Sequence, residues 1–149
     1  MNKPARWMIL LIALALAACS RSATGAGEAP QTPETAHARW VAAVRDNGRQ
    51  EALALTGGLG DNQALFVDQT LSRMQDIIKR QSNGVIRLGP LQRVDMLTLS
   101  DEGAGKVGLS AWRFEQHTFC YQTRLALHNG AWSVTGWGQM LACPSNDGL

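Results

Sequence analysis

Tyr121 is the residue of this 149-residue chain best suited to hold a ligand. A phenol on an apolar strand face beside glycines donates a hydrogen bond to a ligand oxygen; the alternative is a core tyrosine with its hydroxyl satisfied at the rim. Asp95 is a general base if it points inward and an ordinary solvated strand residue if it does not. Of the three histidines, His37 follows Ala36 in a helical segment with no carboxylate partner in view. His117 falls at a turn and His128 beside a hairpin loop, where imidazoles are usually wet. No nucleophile elbow, phosphate-cradling loop or paired-cysteine zinc pattern occurs. Gly57-Gly58-Leu59-Gly60 follows a helix rather than a strand, so it reads as a connector and not a cofactor loop. These residue types predict no catalytic set, no metal site and no cofactor.

The element that must position Tyr121 is a hairpin around Asn129-Gly130, because a type I′ turn needs positive φ at both central residues. With those two as the loop, Leu127 opposes Trp132, Leu125 opposes Val134, Thr123 opposes Gly136, Tyr121 opposes Gly138 and Phe119 opposes Met140. One face is then almost wholly apolar. Gly136 and Gly138 leave room opposite Thr123 and Tyr121, for a ring from a helix or for a hollow. Tyr121, Thr123, Gly136 and Gly138 are thus the candidate ligand pocket. The same register puts Trp137 on the wetter face with Arg124 and Gln122. Together with Trp112 it forms an exposed docking surface there, or else packs against the tail or a disulfide.

Upstream, the hydrophobic period is helical as far as Gly84 and two thereafter. Thr32 caps a first helix, with Pro33 at its first position and Glu34 in its first turn. Its stripe is Ala36, Trp40, Ala43 and Val44, it runs to about Asn47, and Gly48 stops it. A short second helix covers 50–55. Asp61 caps a third, whose stripe of Val67, Leu71, Met74 and Ile78 makes Met74 a core residue, and Asn83-Gly84 ends it. Residues 85–99 form one or two strands interrupted by Gly89-Pro90, with Val94 and Met96 on one face and Asp95, Leu97 and Leu99 on the other. Strands over 106–115, 118–128 and 131–141 follow. The fold class is α+β, three N-terminal helices packed on a curved antiparallel sheet, and the domain covers 34–149.

The N-terminus has a different logic. Lys3 and Arg6 precede twelve apolar residues, Trp7 to Ala18, that end in small side chains, the pattern of a cleavable signal peptide over 1–18. As a helix they cover roughly 18 Å, against about 30 Å of membrane hydrocarbon. Lys3 and Arg6 leave with the leader, so 14 basic and 12 acidic residues become 12 of each, and the chain has no electrostatic footprint for nucleic acid. Residues 20–32 are Ser, Ala, Gly, Thr, Pro and Gln with little else, a flexible tether.

Leu16-Ala17-Ala18-Cys19 resembles the lipobox of bacterial lipoproteins. The resemblance implies cleavage before Cys19, acylation of that cysteine, and a membrane anchor; Ser20 rather than Asp after it implies the periplasmic face of the outer membrane in a Gram-negative cell. With Cys19 lipidated, Cys120 and Cys143 remain as an even pair in an oxidising compartment, a disulfide or two buried thiols. The regular hairpin register sets Cys120 opposite Gln139 and leaves Cys143 about 13 Å further along, beyond the roughly 7 Å a disulfide spans. A bond therefore requires a bulge near the glycines or a fold back before Pro144.

The order of helices and strands, with Leu125-Ala126-Leu127-His128-Asn129-Gly130-Ala131-Trp132-Ser133-Val134 as the last hairpin and Trp40 in the first helix, resembles nuclear-transport-factor-2-like domains of small lipoproteins. The resemblance implies a cone, a curved sheet wrapping the long helix. Enzymes of that superfamily use an inward Asp or His set, which is not legible here. The expected function is a membrane-tethered, non-enzymatic envelope module that binds a protein partner or a small apolar ligand. The alternatives are a periplasmic enzyme or apolar ligand carrier with a pocket around Tyr121, and an accessory subunit of an envelope secretion or conjugation apparatus.

Overall fold

A computed structural model describes residues 31–144; the leader, Cys19 and the tether as far as residue 30 lie outside the described residues. Three helices precede four strands: α1 (Pro33–Asp46), α2 (Arg49–Leu55), α3 (Gln63–Arg80), β1 (Leu91–Glu102), β2 (Gly105–Phe114), β3 (Thr118–His128) and β4 (Ala131–Gln139). The strands make one antiparallel meander in chain order. The architecture is α+β, and the change of hydrophobic period at Gly84 marks the border between its halves.

α1 begins where its residues dictate. The Thr35 amide donates to Thr32 Oγ1 at 3.2 Å, with Pro33 and Glu34 in the first turn. Its end falls earlier than Gly48 predicts, because Asn47 itself takes the left-handed conformation, φ 59°, which asparagine tolerates. α3 departs from expectation at both ends. Asp61 sits in a 3-10 turn, Gly60–Asn62, and makes no cap. Gln81, at φ 52°, stops the helix before Asn83-Gly84 is reached. Val67, Leu71 and Met74 are buried as the stripe requires, and Ile77 is buried more fully than Ile78.

Gly89-Pro90 does not interrupt a strand. It closes a loop in which Asn83 Oδ1 accepts from the amides of Val85 and Ile86 and Leu88 is buried. β1 then runs unbroken from Leu91 to Glu102, with a register shift between Met96 and Leu99. The shift brings Leu99 opposite Gly108 and into contact with the core, so Leu99 does not share the face of Asp95 as simple alternation predicts.

β3 and β4 pair as expected from His128↔Ala131 to Leu125↔Val134, and then the register moves by one. Thr135 is the extra residue of a β-bulge, and everything beyond it is turned over. Gly136 opposes Arg124, Thr123 opposes Trp137 and Tyr121 opposes Gln139. The expected pairs Thr123–Gly136 and Tyr121–Gly138 are therefore corrected. Trp137 goes to the inner face, and Trp112 is fully buried there, so neither tryptophan makes an outer docking surface.

The bulge also resolves the disulfide. One residue of slip brings Met140 to Cys120, whose carbonyl accepts from the Met140 amide at 2.8 Å. The chain bends through 141–142 and returns Cys143 to a Cα separation of 5.1 Å, and the Cys120–Cys143 bond forms.

α1 lies against β2, β3 and β4 with Ala36, Trp40, Ala43 and Val44 buried, and α3 packs on α1 and α2. After α2 the chain runs along the free edge of β4, where Gly57 N–H donates to Val134 O at 3.2 Å. A Cβ at Gly57 would come within 2.8 Å of Ser133, so this glycine is what allows the edge to be covered. Gly57-Gly58 is a connector, as its place after a helix implies.

Candidate functional site

Five elements each contribute one ring to a continuous aromatic network. Phe66 of α3 stacks on Trp40 of α1, with centroids 5.7 Å apart and planes at 9°. Trp40 meets Trp137 of β4 edge-on at 6.2 Å. Trp137 stacks on Tyr121 of β3 at 4.9 Å and 7°, and Trp112 of β2 abuts both edge-on at 5.8 and 6.1 Å. Such pairs add about 0.5–1.5 kcal/mol each beyond their buried area. The network fixes the Tyr121 and Trp137 rings, because every neighbour that would have to move is itself packed.

Beside this network α3 and the sheet part to leave a cleft of about 210 Å3. Phe66, Gln69, Thr70, Arg73 and Met74 line one wall, at spacings that put them on one helical face. Tyr121, Trp137, Gly138 and Gln139 line the other. The floor is aromatic and the rim carries amides and one guanidinium. The Tyr121 hydroxyl makes no hydrogen bond among the described residues, and Arg73 makes no ion pair among them. Burial raises the Tyr121 phenol above its usual range, and the nearby Arg73 charge opposes it. Tyr121 is thus a neutral donor at neutral pH.

The candidate pocket residues divide. Tyr121 and Gly138 line the cleft, whereas Thr123 and Gly136 do not. Thr123 is fully buried with Oγ1 unpartnered among the described residues, and Gly136 lies against the Arg124 side chain. The bulge at Thr135 is the reason, since it moves Gly136 off the face it was expected to share with Thr123. The ring from a helix that those glycines were expected to receive is received at Gly108 instead. His37 of α1 packs there, buried and with Nε2 unpartnered. Burial lowers its pKa to about 4.

Asp95 sits opposite Ala111, turned away from Val94 and Trp112. It accepts from Arg113 Nε at 2.5 Å and lies 3.2 Å from Arg93. The Arg113 hydrogen bond holds its carboxyl below the usual range, against desolvation and with help from Arg93; an anchored carboxylate on that face is no general base for the cleft. His117 and His128 are exposed. Among the described residues no cluster of three or more His, Cys, Asp or Glu is placed to hold a metal ion, and no helix is long and apolar enough to cross a membrane.

A larger depression of about 790 Å3, lined from Asn47 to Arg80, is shallow and of mixed charge. Its carboxylates are already engaged, Asp68 by Arg49 and Asp76 by Arg80 at 2.6 Å each, so it offers less chemistry than the smaller cleft. Sequence reasoning missed Phe66, Arg73, Trp137 and Gln139. A signal existed for the first two, since Phe66, Thr70 and Arg73 border the buried stripe of α3. None existed for the last two, which depend on the bulge.

Neither a protein-family model nor a curated protein matches the sequence. Among solved structures the chain is similar to a SEC-C motif containing protein from Rhodopseudomonas palustris, with a TM-score of 0.50 and 14% sequence identity over 74% of this chain and 80% of that one. At that identity the likeness is one of fold alone, three helices followed by a four-stranded antiparallel sheet.

Proposed function

We propose that the chain is a membrane-tethered, non-enzymatic binding module of a bacterial cell envelope, held by a lipidated Cys19 and receiving a small ligand at the Tyr121–Trp137 cleft. The observation that carries the reading is the make-up of that cleft. Its floor is aromatic, its rim donates hydrogen bonds, and among the described residues its lining holds no proton-transfer pair: burial holds the Tyr121 phenol neutral, and His37 lies over Gly108 rather than in the cleft. General acid–base chemistry needs a group that titrates near working pH within reach of the reacting atom.

The address rests on the leader and on Leu16-Ala17-Ala18-Cys19, and a disulfide between Cys120 and Cys143 supports an oxidising compartment. Acyl chains at Cys19 hold firmly, since each buried CH₂ contributes about 0.8 kcal/mol and two chains suffice. The test is fractionation of cells expressing wild type and Cys19→Ala, with mass spectrometry of the purified protein. The expected outcome is an acylated N-terminal cysteine and a membrane-bound wild type, with the variant released or retained as uncleaved precursor. Equal membrane yield of a mature, unacylated variant would refute the anchor.

A further inference from the structure

We propose that the cleft between α3 and the β3–β4 pair takes small apolar monocarboxylates, with Arg73 holding the carboxylate, Tyr121 donating to it, and the ligand's body lying on Trp137 and Met74. The inference deepens the binding-module reading and rests on it.

Three observations narrow the ligand. The first is size. About 210 Å3 is below the roughly 300–1,000 Å3 of a drug-sized pocket, so the occupant is a single ring or a short chain with a small head. The second is the pairing state of the donors. Arg93, Arg113, Arg49 and Arg80 are each engaged by a carboxylate, while Arg73 is in no ion pair among the described residues and the Tyr121 hydroxyl has no partner among them. Two free donors that converge on one cleft match an acceptor with two oxygens, which a guanidinium fork engages in plane. The third is charge balance. Among the described residues Arg73 is the sole cation lining the cleft, and the lining holds no carboxylate. A single guanidinium suits a monoanion better than a phosphate dianion. The remaining walls, Phe66, Met74 and Trp137, give an apolar body dispersion contacts without a second polar demand.

The experiment titrates the full chain with phenylacetate and with its neutral isostere phenylacetamide, followed through tryptophan indole N–H resonances, for wild type, Arg73→Gln and Tyr121→Phe. Arg73 is exposed and Tyr121→Phe keeps the ring stack, so both variants retain the fold, checked by near-ultraviolet circular dichroism. Wild type is expected to prefer the acid about tenfold. Arg73→Gln removes the preference while leaving the amide's affinity unchanged, and Tyr121→Phe weakens the acid several-fold. Equal affinity for acid and amide, or an acid affinity indifferent to Arg73→Gln, overturns the carboxylate assignment and leaves a cleft that binds neutral ligands. Binding of neither probe at millimolar concentration overturns both the assignment and the small-ligand reading.

Discussion

Gly108 shows how one missing carbon organises the helix–sheet contact. It faces inward on β2 opposite Thr123, and the His37 ring of α1 rests on it: a Cβ built there would lie 2.6 Å from both Cγ and Cε1 of that ring. The imidazole cannot yield, because it is buried between helix and sheet. Overpacking of this kind costs about 1–3 kcal/mol. Gly108→Ala is therefore expected to lower unfolding free energy by that amount in urea denaturation. Adding His37→Ala should recover much of the loss, since the methyl group then fills space the ring vacated. Additive destabilisation in the double variant would show that the ring is not what the methyl meets. At the same scale Arg73 is distinguished from the other arginines of the helices and sheet by what it does not touch, and no feature of its sequence neighbourhood announces that.

At the scale of elements, the single bulge in β4 decides more than any other feature. With the same residues in regular pairing, Trp137 would face outward, the five-ring network would lose its centre, and Cys120 would oppose Gln139 rather than Met140. Because Val134 already opposes Leu125 and Gly136 already opposes Arg124, Thr135 contributes no paired position of its own. Deleting Thr135 is expected to keep Trp137 inward and to preserve the near-ultraviolet signature of the stacked rings, whereas Trp137→Ala should abolish it at a cost of about 3–5 kcal/mol. Loss of the signature on deletion would mean that the bulge's twist, and not only its register, holds the ring. The disulfide acts on a neighbouring piece of chain. It closes a loop with a sequence separation of 23, for which the chain-entropy estimate is about 3 kcal/mol. Cys143→Ser should therefore lower the denaturation midpoint, and wild type in reductant should unfold together with the variant.

The elements also show what was legible beforehand. The N-cap of α1, the Val67, Leu71 and Met74 stripe of α3 and the Asn129-Gly130 turn are local signals, set by the residue's own backbone preference or by contacts within one turn, and they lie where the sequence puts them. Helix ends at Gln81 and the unbroken β1 were not legible, because a non-glycine left-handed stop and the tying of Gly89-Pro90 to β2 depend on what surrounds them. The Glu115 amide, for example, donates to Pro90 O at 3.0 Å. Of the candidate pocket, Tyr121 was reached from alternation alone. Thr123 and Gly136 were misplaced because alternation fails at the first inserted residue.

For the whole molecule, stability should report the buried histidine. His37 titrates near 4 when folded and near 6.5 otherwise, with burial as the cause. Between those values the unfolded chain binds the proton and the folded one does not, so stability rises with pH. The contribution is complete above about pH 6.5 and is lost as pH falls through 4, a difference of up to about 3 kcal/mol. Urea denaturation at pH 7 and at pH 4.5 is expected to show a larger drop for wild type than for His37→Leu. Equal drops would place the imidazole in contact with water.

The residues alone determined the class of the domain, the positions of its helices, the turn that pairs its last strands, and the leader pattern that gives the proposed address. All of these follow from interactions spanning a few positions. Which rings meet, which cysteine reaches its partner and that Arg73 is left without a carboxylate were decided only in three dimensions. They depend on one unpaired residue in β4 and on how α1 and α3 settle over the sheet, and a contact between distant segments has no signature in either segment by itself.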